Sequence, residues 1–159
     1  PDRFLDCTTP LRLAATAEIR TDVPRPLQLR TLLAVRNRHG RLSPAGGRCN
    51  NGIVRAATRS TGDFVVVADT LPPRVRPLFE RGADLSRAEG LRFAPGNFSG
   101  IAAWSLEIDG QWVPCDRFPI KGTLVHFFDT PPARSRHTVR LSVTDACGNT
   151  TRCETEFVR

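Results

Sequence analysis

Along most of the chain apolar and polar residues alternate with a period of two, the spacing of strands that bury one face. Leu27-Gln28-Leu29-Arg30 and residues 32–36 carry it, residues 37–40 offer a turn, and a further strand follows over 53–59. After a Ser60-Thr61-Gly62 turn, the β-branched run 63–68 reads as a buried strand. Helical spacing is confined to residues 83–89, closed by Gly82 and Gly90, which predicts one short helix there. Pro72-Pro73 cannot donate ladder hydrogen bonds, so a strand ends before them. A domain boundary is placed at that point. Residues 1–71 form a small β domain packed on its neighbour, and residues 72–159 form a second β domain.

The clearest local reading lies in the second domain. Trp104-Ser105-Leu106-Glu107-Ile108 alternates, Asp109-Gly110 supplies a two-residue hairpin turn, and Gln111-Trp112-Val113 returns. Such a turn pairs Ile108 with Gln111, Glu107 with Trp112, Leu106 with Val113 and Trp104 with Cys115. Cross-strand partners share a face. Trp104, Leu106, Ile108, Val113 and Cys115 therefore point inward, and Trp112 lies outside beside Glu107. Val139, Leu141 and Val143 alternate with Arg140 and Ser142, a turn follows over 146–149, and Cys153, Thr155 and Phe157 share one face of the last strand. Short strands with turns every eight to twelve residues predict an all-β chain of two small immunoglobulin-like β-sandwich modules in tandem.

Composition adds limits. The 159 residues carry 23 Lys+Arg against 16 Asp+Glu, a formal charge of +7, and Lys121 is the only lysine. The arginines stand singly between apolar residues, as at Arg36, Arg55, Arg92 and Arg140, so each falls on a wet strand face. With neither an RNP-type aromatic motif nor a basic helix, charge alone does not predict a nucleic-acid partner. No apolar run approaches the ~20 residues of a membrane span. The chain begins at Pro1 and contains no methionine, and it reads as a processed or excised fragment.

Five cysteines, Cys7, Cys49, Cys115, Cys147 and Cys153, form no CxxC pair, which argues against structural zinc. They fit an exported protein with one or two disulfides and an odd thiol. Inward Cys115 and Cys153 make one candidate bridge, Cys7 and Cys49 another, with Cys147 left over; four cysteines allow three connectivities.

The second half also resembles a known pattern. Phe98-Ser99-Gly100-Ile101, then Glu107-Ile108-Asp109-Gly110-Gln111-Trp112, then residues 137–143 and Thr144-Asp145-Ala146-Cys147-Gly148-Asn149 are similar to C-terminal β-sandwich modules of lysostaphin-type (LytM-type) zinc endopeptidases among Bacteroidetes exported proteins. Gly62-Asp63-Phe64-Val65-Val66, Asp69-Thr70 and Pro72-Pro73 resemble a junction in the same tails. The resemblance implies a non-catalytic accessory region of a peptidoglycan metallopeptidase, exported to periplasm or cell surface. Its partners would be an upstream peptidase domain or cell-wall glycan and peptide. The family holds zinc with HxxxD and HxH elements, because a hydrolytic zinc needs three protein ligands and an open position. Neither element occurs around His39, His126 or His137, so no catalytic residue and no cofactor is expected in this chain. The alternative is a free-standing extracellular module that binds glycan or protein.

Three further constellations carry chemistry. Exposed Trp112, with Gln111 or Arg117 beside it, suits stacking on a sugar ring and bonding its hydroxyls; the competing role is cover for an interface or loop. Asp69, Asp109, Asp145 and Asn149 are oxygen donors near strand ends and weak calcium candidates, although they are also ordinary turn residues. His126 in an apolar strand reads as a core or edge histidine, and His137 as an exposed one. A Ser-His-Asp hydrolase set is conceivable on paper, but no GxSxG elbow supports it.

Overall fold

The computed structural model describes residues 15–59, 62–118, 122–130 and 133–159. Cys7 lies outside them, as do Ser60 and Thr61 of the expected turn. Two compact units form: one takes the chain up to Leu71 together with Phe98–Gly100 and Ala146–Gly148, and the other comprises Pro72–Asn97, Ile101–Asp145 and Asn149–Arg159.

The first unit is two three-stranded antiparallel sheets. One has β1 (Ala15–Arg20), β5 (Ile53–Thr58) and β4 (Arg48–Asn50) in that order, and the other β3 (Leu42–Gly46), β2 (Thr31–Arg36) and β6 (Asp63–Ala68). Leu33, Cys49, Val54 and Ala56 make its small core. The run over 63–68 is only half-buried along Phe64 to Val67, because β6 is an edge strand. Central β2 is the buried one, with Thr31 to Ala34 all inside. The Asn37 turn forms as expected: its Oδ1 accepts from the His39 and Arg41 N–H groups, and Gly40 N donates to Asn37 O.

Leu27 to Arg30 is not a strand. A single-turn helix α1 (Arg25–Gln28) follows Pro24, with Pro26 in its first turn. Proline pre-sets a helical φ and needs no donor partner there, so two prolines override an apolar alternation only four residues long. Leu29 is left 86% exposed.

The second unit is a β-sandwich. One sheet runs β11 (Gln111–Val113), β10 (Ile101–Ile108), β14 (Arg136–Asp145), β15 (Thr150–Val158) and β8 (Ala83–Asp84); the other runs β12 (Asp116–Phe118), β13 (Thr123–Phe127), β9 (Gly90–Gly96) and β7 (Arg74–Pro77). Lettered in chain order without β8, these are the C′-C-F-G and D-E-B-A sheets of an immunoglobulin-like sandwich. Leu91, Phe93, Leu106, Leu124, Val139, Leu141, Val143 and Phe157 fill the space between them.

The Asp109-Gly110 turn has φ of +53° and +78°, the doubly left-handed geometry whose twist matches the flanking strands. Its register is the expected one, Ile108 opposite Gln111, Glu107 opposite Trp112 and Leu106 opposite Val113. Trp104, Ile108, Val113 and Cys115 pack on the core, and the Trp104 indole N–H donates to Cys115 O at 2.7 Å.

Residues 83–89 are not helical. Ala83 and Asp84 pair in parallel with Phe157 and Val158, and the Gly82 and Leu85 N–H groups donate to Glu156 O and Val158 O. Asp84 Oδ1 then accepts the Ser86 N–H. Sheet carbonyls and one aspartate side chain thus take the donors that a helix needs.

Candidate functional site

The outer face of the five-stranded sheet collects the most varied exposed chemistry of the described residues. Cross-strand register sets Trp112, Glu107, Arg140 and Glu154 in one row over β11, β10, β14 and β15. Alternation dictates which residues face out, and lateral pairing lines them up. Arg140 lies between two carboxylates, with Nε donating to Glu154 Oε1 at 2.8 Å and Nη1 3.5 Å from Glu107 Oε2. These partners raise its pKa, the Glu154 hydrogen bond most. Trp112 is 67% exposed at the open end of the row. The next row is short and polar, with Ser105, Ser142 and Arg152.

Of the residues expected to act with Trp112, neither shares its face. Gln111 pairs with Ile108, whose side chain packs on the core, so strand alternation turns Gln111 away from Trp112. Arg117 belongs to β12 in the other sheet, opposite buried Leu124, and its Nη1 donates to Ile101 O at 3.3 Å. The row partners of Trp112 beyond Glu107 escape a linear reading. Arg140 and Glu154 are visible as outward residues, but their alignment depends on long-range register.

Of the four oxygen donors, Asp145 and Asn149 hydrogen-bond each other, and Asp109 sits at the β10–β11 hairpin. Asp69, 6% exposed, accepts from the Leu71 and Ser99 N–H groups. Asp145, 2% exposed, accepts Asn149 N–H and Nδ2 at 2.9 Å and Asn97 Nδ2 at 2.6 Å, which pins the turn before β15. Asp109 closes the hairpin by accepting the Thr138 N–H at 2.7 Å. Backbone, amide, hydroxyl and imidazole groups bond these carboxylates, and no group of three or more His, Cys, Asp or Glu that could hold a metal ion occurs among the described residues.

The expected Cys115–Cys153 bridge does not form, since both are unbridged thiols, and Cys7 of the other expected pair lies outside the described residues. Cys153 sits on β15 opposite Leu141, whereas Cys115 follows β11 on the far side of β10 and β14. Three strand spacings amount to ~14 Å, against the ~5.5 Å between the Cα atoms of a bridge. Burial, with the charge of Asp116 beside it, pushes the Cys115 thiol up to about 11. At pH 7.5 Cys115 is therefore expected to react with iodoacetamide roughly 100-fold more slowly than free cysteine, because only the thiolate attacks. Denaturation without reductant should then expose both Cys115 and Cys153 to label, as peptide mass mapping can show. A pair that stays unlabelled would restore the bridge.

The histidines part company. His126 is 8% exposed, with Nδ1 2.8 Å from Pro114 O and its ring edge-on to Phe128, a satisfied core histidine as its strand suggested. His137 is not simply exposed. Its ring stacks on Phe157 at 5.1 Å, Nδ1 lies 2.7 Å from Asp109 Oδ2, and Nε2 lies 3.0 Å from Ser135 Oγ. Partial burial works against ionisation of Asp109, but the hydrogen bonds from His137 and Thr138 outweigh it and hold this carboxyl below its ordinary range.

No helix among the described residues is long and apolar enough to cross a membrane. No protein-family model matches the chain. No curated protein matches it either. Among solved structures it is similar to the fibronectin(III)-like modules of Clostridium thermocellum CbhA, with 10% identity over 91% of this chain and 85% of that one and a TM-score of 0.41.

Proposed function

We propose that this chain is a non-catalytic binding region of an exported cell-wall metallopeptidase, and that it holds peptidoglycan against the outer face of its five-stranded sheet. The observation that carries the binding role is Trp112, 67% exposed at the end of an ordered row of ionic groups. An exposed indole on a sheet offers an apolar plane to the C–H face of a sugar ring. Beside it, Glu107 and Glu154 accept from hydroxyl and amide donors, and Arg140 donates to hydroxyls or to a carboxylate of the wall polymer. A row across parallel-lying strands suits an extended chain better than a compact ligand.

The peptidase parentage and the export rest on the resemblance of residues 98–112 and 137–149, and on the motifs around Pro72-Pro73. In this reading the hydrolytic zinc belongs to a peptidase domain upstream, and the present chain keeps that domain at the wall. Sedimentation with purified peptidoglycan tests the binding role. Trp112→Ala is expected to weaken retention roughly 30-fold, the scale of an aromatic anchor worth ~2 kcal/mol. Arg140→Ala should weaken it less, because that guanidinium is already engaged by two carboxylates. Equal retention of wild type and Trp112→Ala would remove this face from the function.

A further inference from the structure

At the hairpin end of the second unit three side chains from distant parts of the sequence meet in a defined order. Asp109 comes from the β10–β11 turn, His137 from the start of β14, and Ser135 from just before it. Asp109 Oδ2 lies 2.7 Å from His137 Nδ1, and His137 Nε2 lies 3.0 Å from Ser135 Oγ. Asp109 is ionised at neutral pH and has no proton to give, so Nδ1 carries the hydrogen and donates it. That sets the tautomer. Nε2 is then the lone-pair nitrogen, and the Ser135 hydroxyl donates to it. Orienting carboxylate, base and nucleophile stand in the order that activates serine in hydrolases of unrelated folds.

The set is also rigidly held. The imidazole stacks on buried Phe157, and Asp109 Oδ1 accepts both the N–H and the hydroxyl of Thr138. Ser135 exchanges two backbone hydrogen bonds with Arg159, its N–H to Arg159 O and its carbonyl from Arg159 N–H, each 2.9 Å. Ser135 itself is exposed and open to a reagent.

We propose that Ser135 is an acyl-acceptor site, its hydroxyl activated by His137 and Asp109 toward activated carboxylic esters. Ser135 Oγ attacks the ester carbonyl carbon as its proton moves to His137 Nε2. The bond from that carbon to the leaving oxygen then breaks, the leaving group takes the proton from Nε2, and the acyl group stays on Ser135 Oγ. No oxidant, metal or further reactant is needed. The nearby Ser135 and Thr138 N–H groups already donate to Arg159 O and Asp109 Oδ1, so neither is free to cradle an oxyanion. The step proposed is the acylation of Ser135. It is independent of the Trp112 face.

The probe is p-nitrophenyl acetate on the full chain, with acetylated positions located by peptide mass spectrometry. The sole lysine, Lys121, and the cysteines are scored separately as background. General-base assistance alone is worth ~10²–10⁴ in rate. Ser135 is therefore expected to acetylate roughly 100-fold faster than Ser43, an exposed serine on β3. His137→Gln should bring Ser135 down to the Ser43 rate, and Asp109→Asn should slow it roughly 10-fold or more. Circular dichroism confirms that each variant is folded, and His137→Gln with Ser135→Ala leaves the Asp109–Thr138 bonds in place if Asp109→Asn loosens the hairpin. Ser135 labelling no faster than Ser43, or unchanged in His137→Gln, overturns the assignment.

Discussion

Replacing Phe157 with alanine is expected to remove about 3–5 kcal/mol from the stability of the second unit, the usual range for deleting a fully buried phenyl ring. Phe157 is 1% exposed and belongs to the core between the two sheets. Its ring centroid lies 5.6 Å from that of Phe128, 6.5 Å from that of Phe79 and 5.1 Å from that of His137, so three aromatic neighbours lose a partner at once. Strand β15 is bonded to β14 over its whole length and to β8 at this end, which leaves little freedom to close the cavity. Domains are stable by only ~5–15 kcal/mol. The melting midpoint should fall by roughly 15–30 °C in a unit of this size. Trp104 and Trp112 are the only tryptophans and both lie in this unit, so urea unfolding followed by indole fluorescence reads the change directly. Phe157→Leu should cost well under half as much. A loss below ~1 kcal/mol for the alanine variant would mean that these rings are not the core they form on paper.

Gly90→Ala is expected to rank second, at about 3 kcal/mol. The cause is opposite in kind. Gly90 faces Phe127 across β9 and β13, and an added Cβ would overlap the carbonyl oxygen of His126 outright. It would also lie 2.9 Å from His126 C and 3.0 Å from Phe127 Cα. All three obstacles are backbone, so no side-chain rotation gives relief and the strands must part, which places the cost at or above the ~1–3 kcal/mol of an overpacked site. Gly96→Ala is the matched control on the same strand. Its Cβ meets nothing within 4 Å, so that variant should melt close to wild type. Equal stability of the two alanine variants would refute the close approach at Gly90.

Much of the second unit is readable from local pattern. The alternation of residues 104–108, the Asp109-Gly110 turn and the Val139, Leu141, Val143 set each placed side chains on the face where they lie. Local pattern misleads where several signals compete. At 27–30 the leucine spacing mimicked a strand, and the prolines at 24 and 26 prevailed. At 83–89 helix-favouring residues were bracketed by glycines, yet the carbonyls of β15 drew their N–H groups into a sheet. The Cys115–Cys153 pairing fails for a different reason. Two inward cysteines share a core, but inwardness does not say how many strands separate them.

That distinction divides the molecule. Alternation along a strand is a property of the backbone itself, with a repeat of two residues, so the linear order of amino acids was enough to make this chain all-β, to build its sharp hairpin and to send Trp112 and Glu107 outward together. Lateral neighbours are set by contacts between residues far apart in the chain, and these form only when two sheets close over a common core. Such closure brought Arg140 and Glu154 into line with Trp112, kept Cys115 from Cys153, and carried Asp109 to His137 across 28 positions of sequence.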